Sequence, residues 1–463
     1  MSNEYDVVVV GGGPGGYAAA LYGASAGLNV AVVEKEKVGG TCLHRGCVPA
    51  KEYLETAAIY RSVLDASEFG ISAPNPTYDF AISQTRKQKV VDQLWKGLSG
   101  LMKGRGITVV QGTGTYEGSG RVAVSDGTDL RGSAVILASG SVPRTIPGFE
   151  VDGSSILTSD EFLSLDRLPQ SVAIIGGGAI GCEFASMLSD MGVEVTIIEA
   201  LPQILTGCDG EIADVVSRSF KKRGITIHTG LAVRGHRKDG GSTIVEFGEG
   251  SEVSVEAVLI SIGRMPNTAH LLGEGAEVEI SSRGFVTVDE TMATTEPGVY
   301  AIGDIVSTPQ LAHVGFAEAI VAIKSILGEP SIPVDYDKVP WCIYTNPEVA
   351  FAGLTEAQAN ERGIDVVVKK DPYGGNSRAR IIGETNGMVK IIAQRLPDGK
   401  AGALLGVHMV GPWVTEQLGQ AYLAVNWEAT PDEIGQFIQP HPTLSEAFGE
   451  AVLALTGRGL HVG

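Results

Sequence analysis

The stretch VVVVGGGPGGYAAALYGASAGLNVAVVE, from Val7 to Glu34, decides the fold, because a second stretch further along the chain repeats its pattern. The second stretch, from Val172 to Glu199, reads VAIIGGGAIGCEFASMLSDMGVEVTIIE and aligns over the same 28 residues without a gap. In each stretch an apolar run leads into three glycines, a helix-like segment follows, and another apolar run ends in Glu. The pattern predicts a strand, a helix and a second strand, used twice.

Each stretch also carries a GxGxxG motif and an acidic residue 18 positions after its last glycine. These positions are Gly11, Gly13, Gly16 and Glu34 in the first stretch and Gly176, Gly178, Gly181 and Glu199 in the second. In such a motif the glycines permit a tight turn, a close approach of the backbone to a pyrophosphate, and packing of helix against strand. The helix N-terminus attracts the anion, and the acid accepts a ribose hydroxyl. One motif alone is weak evidence, but two in register predict two dinucleotide-binding folds that exchange electrons.

The composition of the chain disfavours several other classes of protein. Its 463 residues suffice for about three domains. The net charge of -19 disfavours nucleic acid and anionic membranes as partners. We find no basic leader before the first apolar run and no apolar run of about 18 residues, so we expect neither a signal peptide nor a membrane span. Five cysteines are too few for a disulfide scaffold in so long a chain, and we expect a cytoplasmic protein.

The rest of the sequence divides into segments of different character. The apolar run AVILASGSVPR closes the first unit, and Pro143, Pro147 and Gly148 indicate a linker. A later strand, GVYAIGDIV, has Gly303 and Asp304 at its tip. The segment GMVKIIAQRLPDGKAGALLGVHMVGP predicts two strands around a turn, so that the last part of the chain is α+β. We therefore predict an α/β protein with the domain segments 1–149, 150–270, 271–345 and 346–463.

A third feature is the stretch GGTCLHRGCVPAK, from Gly39 to Lys51, which holds Cys42 and Cys47. Structural zinc usually needs four ligands in two close pairs, and we find no second pair. Five residues of regular helix rise about 7.5 Å, whereas a disulfide needs Cα atoms about 4.4–6.8 Å apart. A bond between the cysteines therefore requires a departure from helix, which glycines such as Gly46 permit. From the residues alone, inert thiols, metal ligands and a reversible bond all remain open.

The residues after Cys47 favour a helix, with Pro49 in its first turn, where a missing N–H costs least. Cys47 then lies near a helix N-terminus, where the dipole favours a thiolate. Lys51 follows four residues later on the same helical face. It either adds positive charge near the thiolate or is an ordinary solvated lysine.

Together these motifs resemble the pyridine nucleotide-disulfide oxidoreductases. The resemblance rests on GGTCLHRGC between the two fingerprints and on ASG, AIGD, LAH, IYTNPEVA and HPTLSE, which follow in order over nearly the whole chain. It implies two Rossmann-like dinucleotide-binding domains, one for FAD and one for NAD, and a C-terminal α+β dimerisation domain. It also implies a homodimer in which each active site takes a histidine from the C-terminal domain of the partner.

The resemblance implies a role for particular residues as well. Cys42 would be the thiol that meets the substrate, and Cys47 the thiol that faces the flavin. Lys51, paired with Glu183, would lie near the reactive nitrogen of the flavin. The implied FAD-site residues are Gly11, Gly13, Gly16, Glu34, Gly40, Thr41, Lys51, Gly114, Ser139, Gly140, Asp304 and Ala312. The implied NAD-site residues are Gly176, Gly178, Gly181, Glu199 and Gly263.

The terminal segment QPHPTLSEAFGE contains the implied catalytic base, His441, and the carboxylate that would orient it, Glu446. An imidazole with a pKa of about 6.5 can accept the proton of a thiol with a pKa of about 8.5. A carboxylate behind the imidazole stabilises its protonated form. Spacing alone favours another interpretation, because Thr443 and Glu446 fit a T-x-x-E capping box at the start of the last helix. The two roles are compatible, since a side chain fixed at a helix start can hold an imidazole.

Two further features bear on the nicotinamide cofactor and the substrate. Glu199 should repel a 2′-phosphate, and no Arg follows it in ALPQILTGCD, so we expect NAD rather than NADP.

The chain ends in LTGRGLHVG, without the cysteine pair typical of mercuric reductases. We therefore expect electrons to pass from dihydrolipoamide through the Cys42–Cys47 disulfide and FAD to NAD. The substrate would be a lipoyl-bearing protein or a small disulfide, and a 2-oxoacid dehydrogenase complex is a candidate partner. The alternatives are a mycothione- or glutathione-type reductase and a flavin diaphorase.

Arg45, between the two thiols, departs from the family pattern. We hypothesise that its charge lowers a thiolate pKa, the alternative being an ordinary solvated charge. The remaining cysteines have no partner motif, and we expect ordinary thiols at Cys182, Cys208 and Cys342.

Overall fold

The computed structural model describes residues 3–461, and the first of its sheets contains the first repeat. Its strands are β1 (Glu4–Val10), β2 (Val30–Glu34), β3 (Thr108–Gln111), β4 (Gly114–Gly118), β5 (Arg121–Val124) and β6 (Asp129–Leu137). The helices between them are α1 (Pro14–Ser25), α2 (Gly40–Arg45), α3 (Cys47–Leu64) and α4 (Phe80–Gly104). The strand order is β3-β2-β1-β6-β5-β4, and β1 pairs in parallel with β2 and β6. A parallel strand is buried on both faces, which explains the continuous run of buried valines in β1.

The second repeat lies in a second sheet, in which all neighbouring strands are parallel. The strands of this part of the chain are β7 (Ser141–Pro143), β8 (Ile156–Leu157), β9 (Ser171–Ile175), β10 (Glu194–Glu199), β11 (Thr226–Thr229), β12 (Val233–Asp239), β13 (Ser242–Phe247), β14 (Ser251–Val255), β15 (Ala257–Ile260) and β16 (Arg264–Pro266). The helices are α5 (Ser159–Phe162), α6 (Ala179–Asp190) and α7 (Gly210–Lys222). The sheet has the order β11-β10-β9-β15-β8, and β12, β13 and β14 form a separate antiparallel sheet.

The two nucleotide-binding units are joined by a pair of short strands, because β7 leads out of the first unit and pairs antiparallel with β16, which leads back. Pro143, which we predicted to be part of a linker, is therefore the last residue of a strand. After β16 the chain returns to the first sheet, where β17 (Val299–Ala301) pairs in parallel with β6. The predicted strand with Gly303 and Asp304 at its tip is confirmed, and α8 (Ala312–Leu327) follows.

The C-terminal part of the chain forms an antiparallel sheet covered by helices. Its strands are β18 (Trp341–Ile343), β19 (Glu348–Gly353), β20 (Val366–Pro372), β21 (Met388–Arg395) and β22 (Ala401–Gly411). Its helices are α9 (Glu356–Glu361), α10 (Ser377–Ile381), α11 (Val414–Asn426), α12 (Pro431–Ile434) and α13 (Glu446–Leu455). The sheet order is β18-β19-β22-β21-β20, so that β21 and β22 form the predicted hairpin. Single 3₁₀ turns occupy Asp65–Phe69, Gly303–Ile305, Tyr336–Lys338 and Tyr373–Gly375.

Close backbone contacts explain the first glycine of each motif. A Cβ on Gly11 would lie 2.3 Å from the carbonyl oxygen of Ala138, and Gly11 has a φ of +107°. Gly176 repeats this arrangement, with a φ of +105° and a Cβ position 2.5 Å from the carbonyl oxygen of Ser261. Only glycine fits such a turn without strain.

Within residues 3–461, no helix has the length and apolar character that crossing a membrane requires.

Candidate active site

The two cysteines flank a break between two helices. Cys42 lies in α2, which ends at Arg45, and Cys47 is the first residue of α3. Gly46 interrupts the helical path with a φ of −139° and a ψ of −112°, and Gly39 precedes α2 with a φ of +112°. This confirms the predicted departure from regular helix, and it brings the two sulfurs within hydrogen-bonding reach of each other.

The two thiols differ in acidity. The hydrogen bond that Cys42 donates to Cys47 raises the pKa of Cys42, and burial raises it further. The same hydrogen bond lowers the pKa of Cys47 in spite of burial, and the ammonium group of Lys51 lowers it further. The N-terminus of α3 also favours a thiolate at this position. In the reduced pair, Cys47 is therefore the more acidic thiol and loses its proton before Cys42.

Lys51 and Glu183 form an ion pair between the two nucleotide-binding units. Lys51 lies on α3 and Glu183 on α6, and the lysine Nζ donates to both carboxylate oxygens at 2.7 and 2.8 Å. Burial lowers the pKa of Lys51, but Glu183, helped by Cys47 and Tyr344, outweighs burial, and the net pKa is raised. The structure thus forms the predicted pair with a charged lysine, and its position near a flavin nitrogen stays a prediction.

Two tyrosines near this pair were missed by sequence reasoning. The backbone N–H of Tyr344 donates to Glu183 Oε1 at 2.9 Å, and Lys51 Nζ lies 5.1 Å from the centroid of the Tyr344 ring. Tyr17 on α1 faces the thiols, and burial followed by their charge raises its pKa to about 12. A donor from the backbone has no residue-type signature, although the motif IYTNPEVA that contains Tyr344 was recognised.

Arg45 has other partners than the thiols. Its Nη1 lies 2.8 Å from Glu36 Oε2, and its Nε lies 3.5 Å from Asp160 Oδ2. The positive charge that lowers the pKa of Cys47 is that of Lys51. The structure therefore favours the alternative to our hypothesis, a partly exposed charge that binds carboxylates beside the site.

His441 and Glu446 also form the expected pair. His441 Nδ1 lies 2.8 Å from Glu446 Oε1, while the backbone N–H of Thr443 donates to the other carboxylate oxygen at 2.7 Å. The predicted capping box is only half present, because α13 begins at Glu446 with Ser445 as its N-cap, and the Thr443 hydroxyl donates to the carbonyl of Pro440 instead. Glu446 therefore fixes the turn and the imidazole with one carboxylate.

The imidazole of His441 faces outward, with 68% of its side chain exposed, against 20% for Glu446. Among the hydrogen bonds and ion pairs described for residues 3–461, none joins His441 to Cys42 or Cys47. One chain therefore holds both halves of the predicted chemistry without bringing them into contact. The arrangement fits the expectation that the histidine serves the site of a partner subunit.

The first nucleotide-binding unit has the space and donors that a dinucleotide requires. No atom lies within 4 Å of the position that a Cβ on Gly13 would take, so the backbone is open to a close ligand at the N-terminus of α1. Gly16 packs against the carbonyl oxygen of Gly11, where a Cβ would lie at 1.8 Å. The carboxylate of Glu34 accepts hydrogen bonds from the backbone N–H groups of Gly12 at 2.7 Å and Glu36 at 2.8 Å. Each oxygen keeps a lone pair for a ribose hydroxyl, so these residues fit the adenosine half of FAD.

The other predicted FAD-site residues are brought to the same end of the first sheet. Ser139 and Gly140 follow β6, and the Ser139 hydroxyl donates to the carbonyl of Asn267 at 2.7 Å. Asp304 lies in the turn after β17 and accepts a hydrogen bond from Ser141. The remaining positions are Gly40 and Thr41 at the start of α2, Gly114 at the start of β4 and Ala312 at the start of α8. A Cβ at Gly40 would lie 2.6 Å from the Cα of Gly13, and one at Gly114 would lie 3.1 Å from Val10 and Val33, so these two glycines also have a packing reason.

Another acid, Glu318, supports this region and was not predicted. Its side chain is fully buried on α8, and it accepts hydrogen bonds from the Gly303 N–H at 2.6 Å, the Thr308 hydroxyl at 2.7 Å and the Tyr336 hydroxyl at 3.0 Å. Burial raises the pKa of Glu318 against these bonds. The acid therefore ties the turn that carries Asp304 to α8.

The second unit repeats the first in its hydrogen bonds as well as its glycines. Glu199 accepts from the N–H groups of Gly177 at 2.6 Å and Leu201 at 2.8 Å. The Cβ position of Gly178 is open, like that of Gly13. The two other predicted positions are Gly181, which packs on the Gly176 carbonyl, and Gly263, which has a φ of +101° and an open Cβ position. These residues fit a second dinucleotide.

The family of the chain follows from comparison with known proteins. Residues 5–319 match the family described as pyridine nucleotide-disulphide oxidoreductase, and residues 339–452 match the dimerisation domain of the same family. The chain belongs to the pyridine nucleotide-disulphide oxidoreductase family. It is a flavoprotein disulfide oxidoreductase that uses FAD and NAD(H).

Membership also bears on assembly. The match to the dimerisation domain supports a homodimer. In agreement with this, bulky apolar side chains of the C-terminal part lie open in the single chain, where Trp427 is 79%, Phe437 68% and Ile438 97% exposed. Within residues 3–461, no group of three or more His, Cys, Asp or Glu residues has an arrangement that could hold a metal ion.

Several relatives match over the full length. The chain is 44% identical to the dihydrolipoyl dehydrogenase of Bacillus subtilis, and the match covers 100% of both chains. It is 37% identical to the dihydrolipoyl dehydrogenase of Chlamydia pneumoniae, with coverage of 100% and 99%. Among solved structures, LpdA from Mycobacterium tuberculosis is similar with a TM-score of 0.90 at 26% identity, over 97% of this chain and 99% of that one. The HOCl-induced flavoprotein disulfide reductase RclA from Escherichia coli follows with a TM-score of 0.87 at 27% identity, over 97% and 99%.

Proposed function

We propose that the chain oxidises dihydrolipoamide to lipoamide and passes the two electrons to NAD. The observation that carries the proposal is the full-length likeness to relatives named dihydrolipoyl dehydrogenase, of which one is 44% identical. The unequal thiols at Cys42 and Cys47 support it, because one sulfur is prepared as a thiolate and the other as a thiol. The acid at Glu199 and the absence of Arg after it support NAD as the acceptor.

His441 starts the reaction by accepting a proton from one thiol of dihydrolipoamide while Glu446 holds the imidazole. The resulting substrate thiolate attacks the sulfur of Cys42, so that a mixed disulfide forms, the Cys42–Cys47 bond breaks and Cys47 leaves as a thiolate. The second substrate sulfur then attacks the first, which closes the lipoamide ring and releases Cys42. The proton of this second thiol ends on Cys42.

The product of these steps on the protein is the state that the electrostatics favour. Cys47 carries the charge, stabilised by the Cys42 thiol and by Lys51, and Lys51 is held by Glu183. FAD, when bound, would supply an acceptor for the two electrons of the dithiol and a donor of two electrons to NAD, while Cys42 and Cys47 return to the disulfide and the Cys42 proton is lost. The open backbone at Gly13 would hold the first cofactor and the repeated glycine, Gly178, the second.

The remaining expectations complete the proposal. The segments 1–149 and 271–345 would form the FAD domain, 150–270 the NAD domain and 346–463 the dimerisation domain. In the homodimer, His441 of one chain would serve the cysteines of the other. The substrate would be a lipoyl-bearing protein, within a 2-oxoacid dehydrogenase complex in the cytoplasm, or a small disulfide.

Steady-state turnover of the purified FAD-loaded protein tests the substrate. We expect dihydrolipoamide with NAD to give the highest kcat/KM, above the reactions of mycothione disulfide and glutathione disulfide with NADH or NADPH. A higher kcat/KM for either of these disulfides would contradict the proposal. An equal or higher value with NADP in place of NAD would contradict the assignment of the nucleotide.

Two cysteine variants test the thiol chemistry. Cys42→Ser should abolish the oxidation of dihydrolipoamide while the protein still binds FAD, because the attacked sulfur is lost. Cys342→Ser is the matched control, since Cys342 is a partly buried thiol whose pKa is raised to about 11 chiefly by burial. Turnover by Cys42→Ser at the wild-type rate would assign the disulfide a regulatory role and overturn the mechanism.

A further inference from the structure

A buried cluster of three charges lies beside the Lys51–Glu183 pair. Asp190, the last residue of α6, is 7% exposed in its side chain, and Arg223 Nη2 donates to one of its oxygens at 2.7 Å. Arg61 on α3 binds the other oxygen of the same carboxylate. The side chains of Arg61 and Arg223 are 25% and 16% exposed. One carboxylate therefore joins two guanidinium groups from separate elements, and no step of the proposed reaction uses it.

The cluster cross-links the two helices that hold the lysine and its acid. Lys51 and Arg61 lie on α3, while Glu183 and Asp190 lie on α6. The pair Lys51–Glu183 joins the helices near the cysteines, and Arg61–Asp190 joins them again further along both. Apolar side chains of both helices also share one core. Two polar connections at separate points restrain sliding and rotation of the helices more than one connection would.

Arg223 extends this arrangement to the C-terminal part of the chain. Its Nη1 donates to the carbonyl of Asn346 at 2.9 Å, and its Nη2 also donates to the carbonyl of Ser186 at 2.6 Å. The N–H of Asn346 donates to the Ser186 hydroxyl at 2.9 Å. The same segment supplies the Tyr344 N–H to Glu183. A shift of Asp190, Arg61 and Arg223 would therefore move Glu183 in two ways, through the helices and through the backbone between Tyr344 and Asn346.

We propose that Asp190 is a positioning residue that holds α3 against α6 in the register that keeps Lys51 beside the Cys47 thiolate. It acts through Arg61 and Arg223 and is hydrogen-bonded to neither cysteine. The inference rests on the proposed function, which gives Lys51 the task of stabilising this thiolate. Without the charge of Asp190, Arg61 loses its link to α6 and faces Arg223, which stays bound to the Ser186 carbonyl of α6. The repulsion between the two guanidinium groups, which Glu384 and Glu348 only partly offset, then acts against the contact of α3 with α6.

The thiolate itself provides the readout. In the FAD-loaded protein carrying Cys42→Ser, Cys47 is the remaining cysteine of the pair, and its thiolate would give a long-wavelength charge-transfer absorbance with the flavin that the proposed function places beside it. We would titrate this absorbance against pH in that background alone and with Asp190→Asn, Lys51→Met or Asp214→Asn. Asp214 is the matched control, because it is an exposed carboxylate on the neighbouring helix α7.

The expected order of midpoints follows from the contacts. Loss of a neighbouring cation should raise the midpoint by about one pKa unit or more in Lys51→Met, and Asp190→Asn should raise it by a clear fraction of that shift. Asp214→Asn should leave it unchanged. The other groups that act on the thiols, Glu183 and Tyr17, are present in every variant, so they do not contribute to the differences.

Comparison of the Asp190→Asn and Lys51→Met variants distinguishes a failure of the inference from a failure of the role assigned to Lys51. A midpoint that Lys51→Met raises and Asp190→Asn leaves unchanged would overturn the inference for Asp190 and leave the proposed function intact. A midpoint that Lys51→Met leaves unchanged would overturn the task assigned to Lys51 itself, and the inference with it. If Asp190→Asn does not fold, Arg61→Gln removes the same cross-link and keeps the Arg223–Asp190 pair, and a midpoint equal to that of the background would overturn the inference.

Discussion

Two hydrogen-bonded pairs of the site, Lys51–Glu183 and His441–Glu446, are built in opposite ways. The first joins side chains 132 positions apart in the chain, and its acid is 9% exposed. The second joins residues five positions apart, and its imidazole is 68% exposed. Both have donor–acceptor distances of 2.7–2.8 Å. Distance alone therefore does not distinguish them, whereas their surroundings do.

This difference distinguishes the surroundings of the cysteine thiols from those of His441. Folding of a single chain completes the surroundings of the Cys47 thiolate, because α3, α6 and the segment that contains Tyr344 all meet at Glu183. His441, the proposed proton acceptor, lies exposed on the surface of the single chain, as do apolar residues of the same segment such as Ile438. A second chain is what would cover this surface and turn the exposed imidazole into part of a site.

The largest effect that we predict concerns the exposed pair. His441→Gln should lower kcat for dihydrolipoamide oxidation by about 10²–10⁴-fold, because the substrate thiol loses its general base. The matched control is His461→Gln, since His461 also pairs with a glutamate, Glu450, at 3.1 Å and is 80% exposed. Steady-state rates of both variants would be compared. An equal loss in the two variants would show that His441 has no special task.

A smaller effect is expected when the orienting carboxylate is changed. Glu446→Gln should lower kcat by about 10-fold to 100-fold, less than the change at His441, because the imidazole remains and only its charged form loses support. The pH dependence of kcat would check this, with Glu433→Gln as a capping glutamate outside the site. A wild-type kcat in Glu446→Gln would show that Glu446 only fixes the turn and has no effect on the reaction.

The buried pair should affect stability. Glu183→Gln leaves Lys51 without its carboxylate, and since the lysine is 34% exposed we expect a loss of about 1–2 kcal/mol, less than for a fully buried pair. At about 2–4 °C per kcal/mol this lowers the apparent Tm by several degrees. Glu55→Gln, on the exposed side of α3, is the control. No difference between the two melting temperatures would contradict a structural contribution of this pair.

The stability lost in Glu183→Gln should depend on pH in a definite direction. Burial lowers the pKa of Lys51, whereas Glu183, Cys47 and Tyr344 together raise it by more, so the folded-state pKa lies above the ordinary lysine value. The stability contributed by the pair is therefore full below a pH of about 10.4 and is lost as the pH rises through the raised pKa. The difference in Tm between wild type and Glu183→Gln should stay constant near neutral pH and narrow in strong alkali.

The features that could be predicted depend on residues that lie close together in the sequence. The repeated 28 residues fix two strand–helix–strand units, since the glycines at Gly11 and Gly176 are required by close backbone contacts of the same kind. A break near Gly46 was expected only on condition that Cys42 and Cys47 form a bond, because five residues of regular helix would hold their Cα atoms too far apart. The partner of Lys51 came from the family resemblance, and its geometry needed the fold.

The features that could not be predicted depend on contacts between distant segments. The cluster of Asp190 with Arg61 and Arg223 combines three ordinary charged residues from three elements, and nothing in their spacing marks them. Thr443 fits a capping box by sequence, but the chain turns so that Ser445 takes the N-cap position. Arg45 lies between the cysteines in sequence, yet its side chain binds carboxylates instead.

The central claim, that His441 serves the thiols of the other chain, is tested most directly with a mixed dimer. Cys42→Ser and His441→Gln chains, each with its own affinity tag, would be co-expressed, and the heterodimer that carries both tags would be assayed for dihydrolipoamide oxidation. If the histidine acts across the dimer, one of the two sites has both groups, and about half of the wild-type rate per dimer is expected. If it acts within its own chain, both sites lack a group, and a rate no higher than that of the two parent variants would contradict the account.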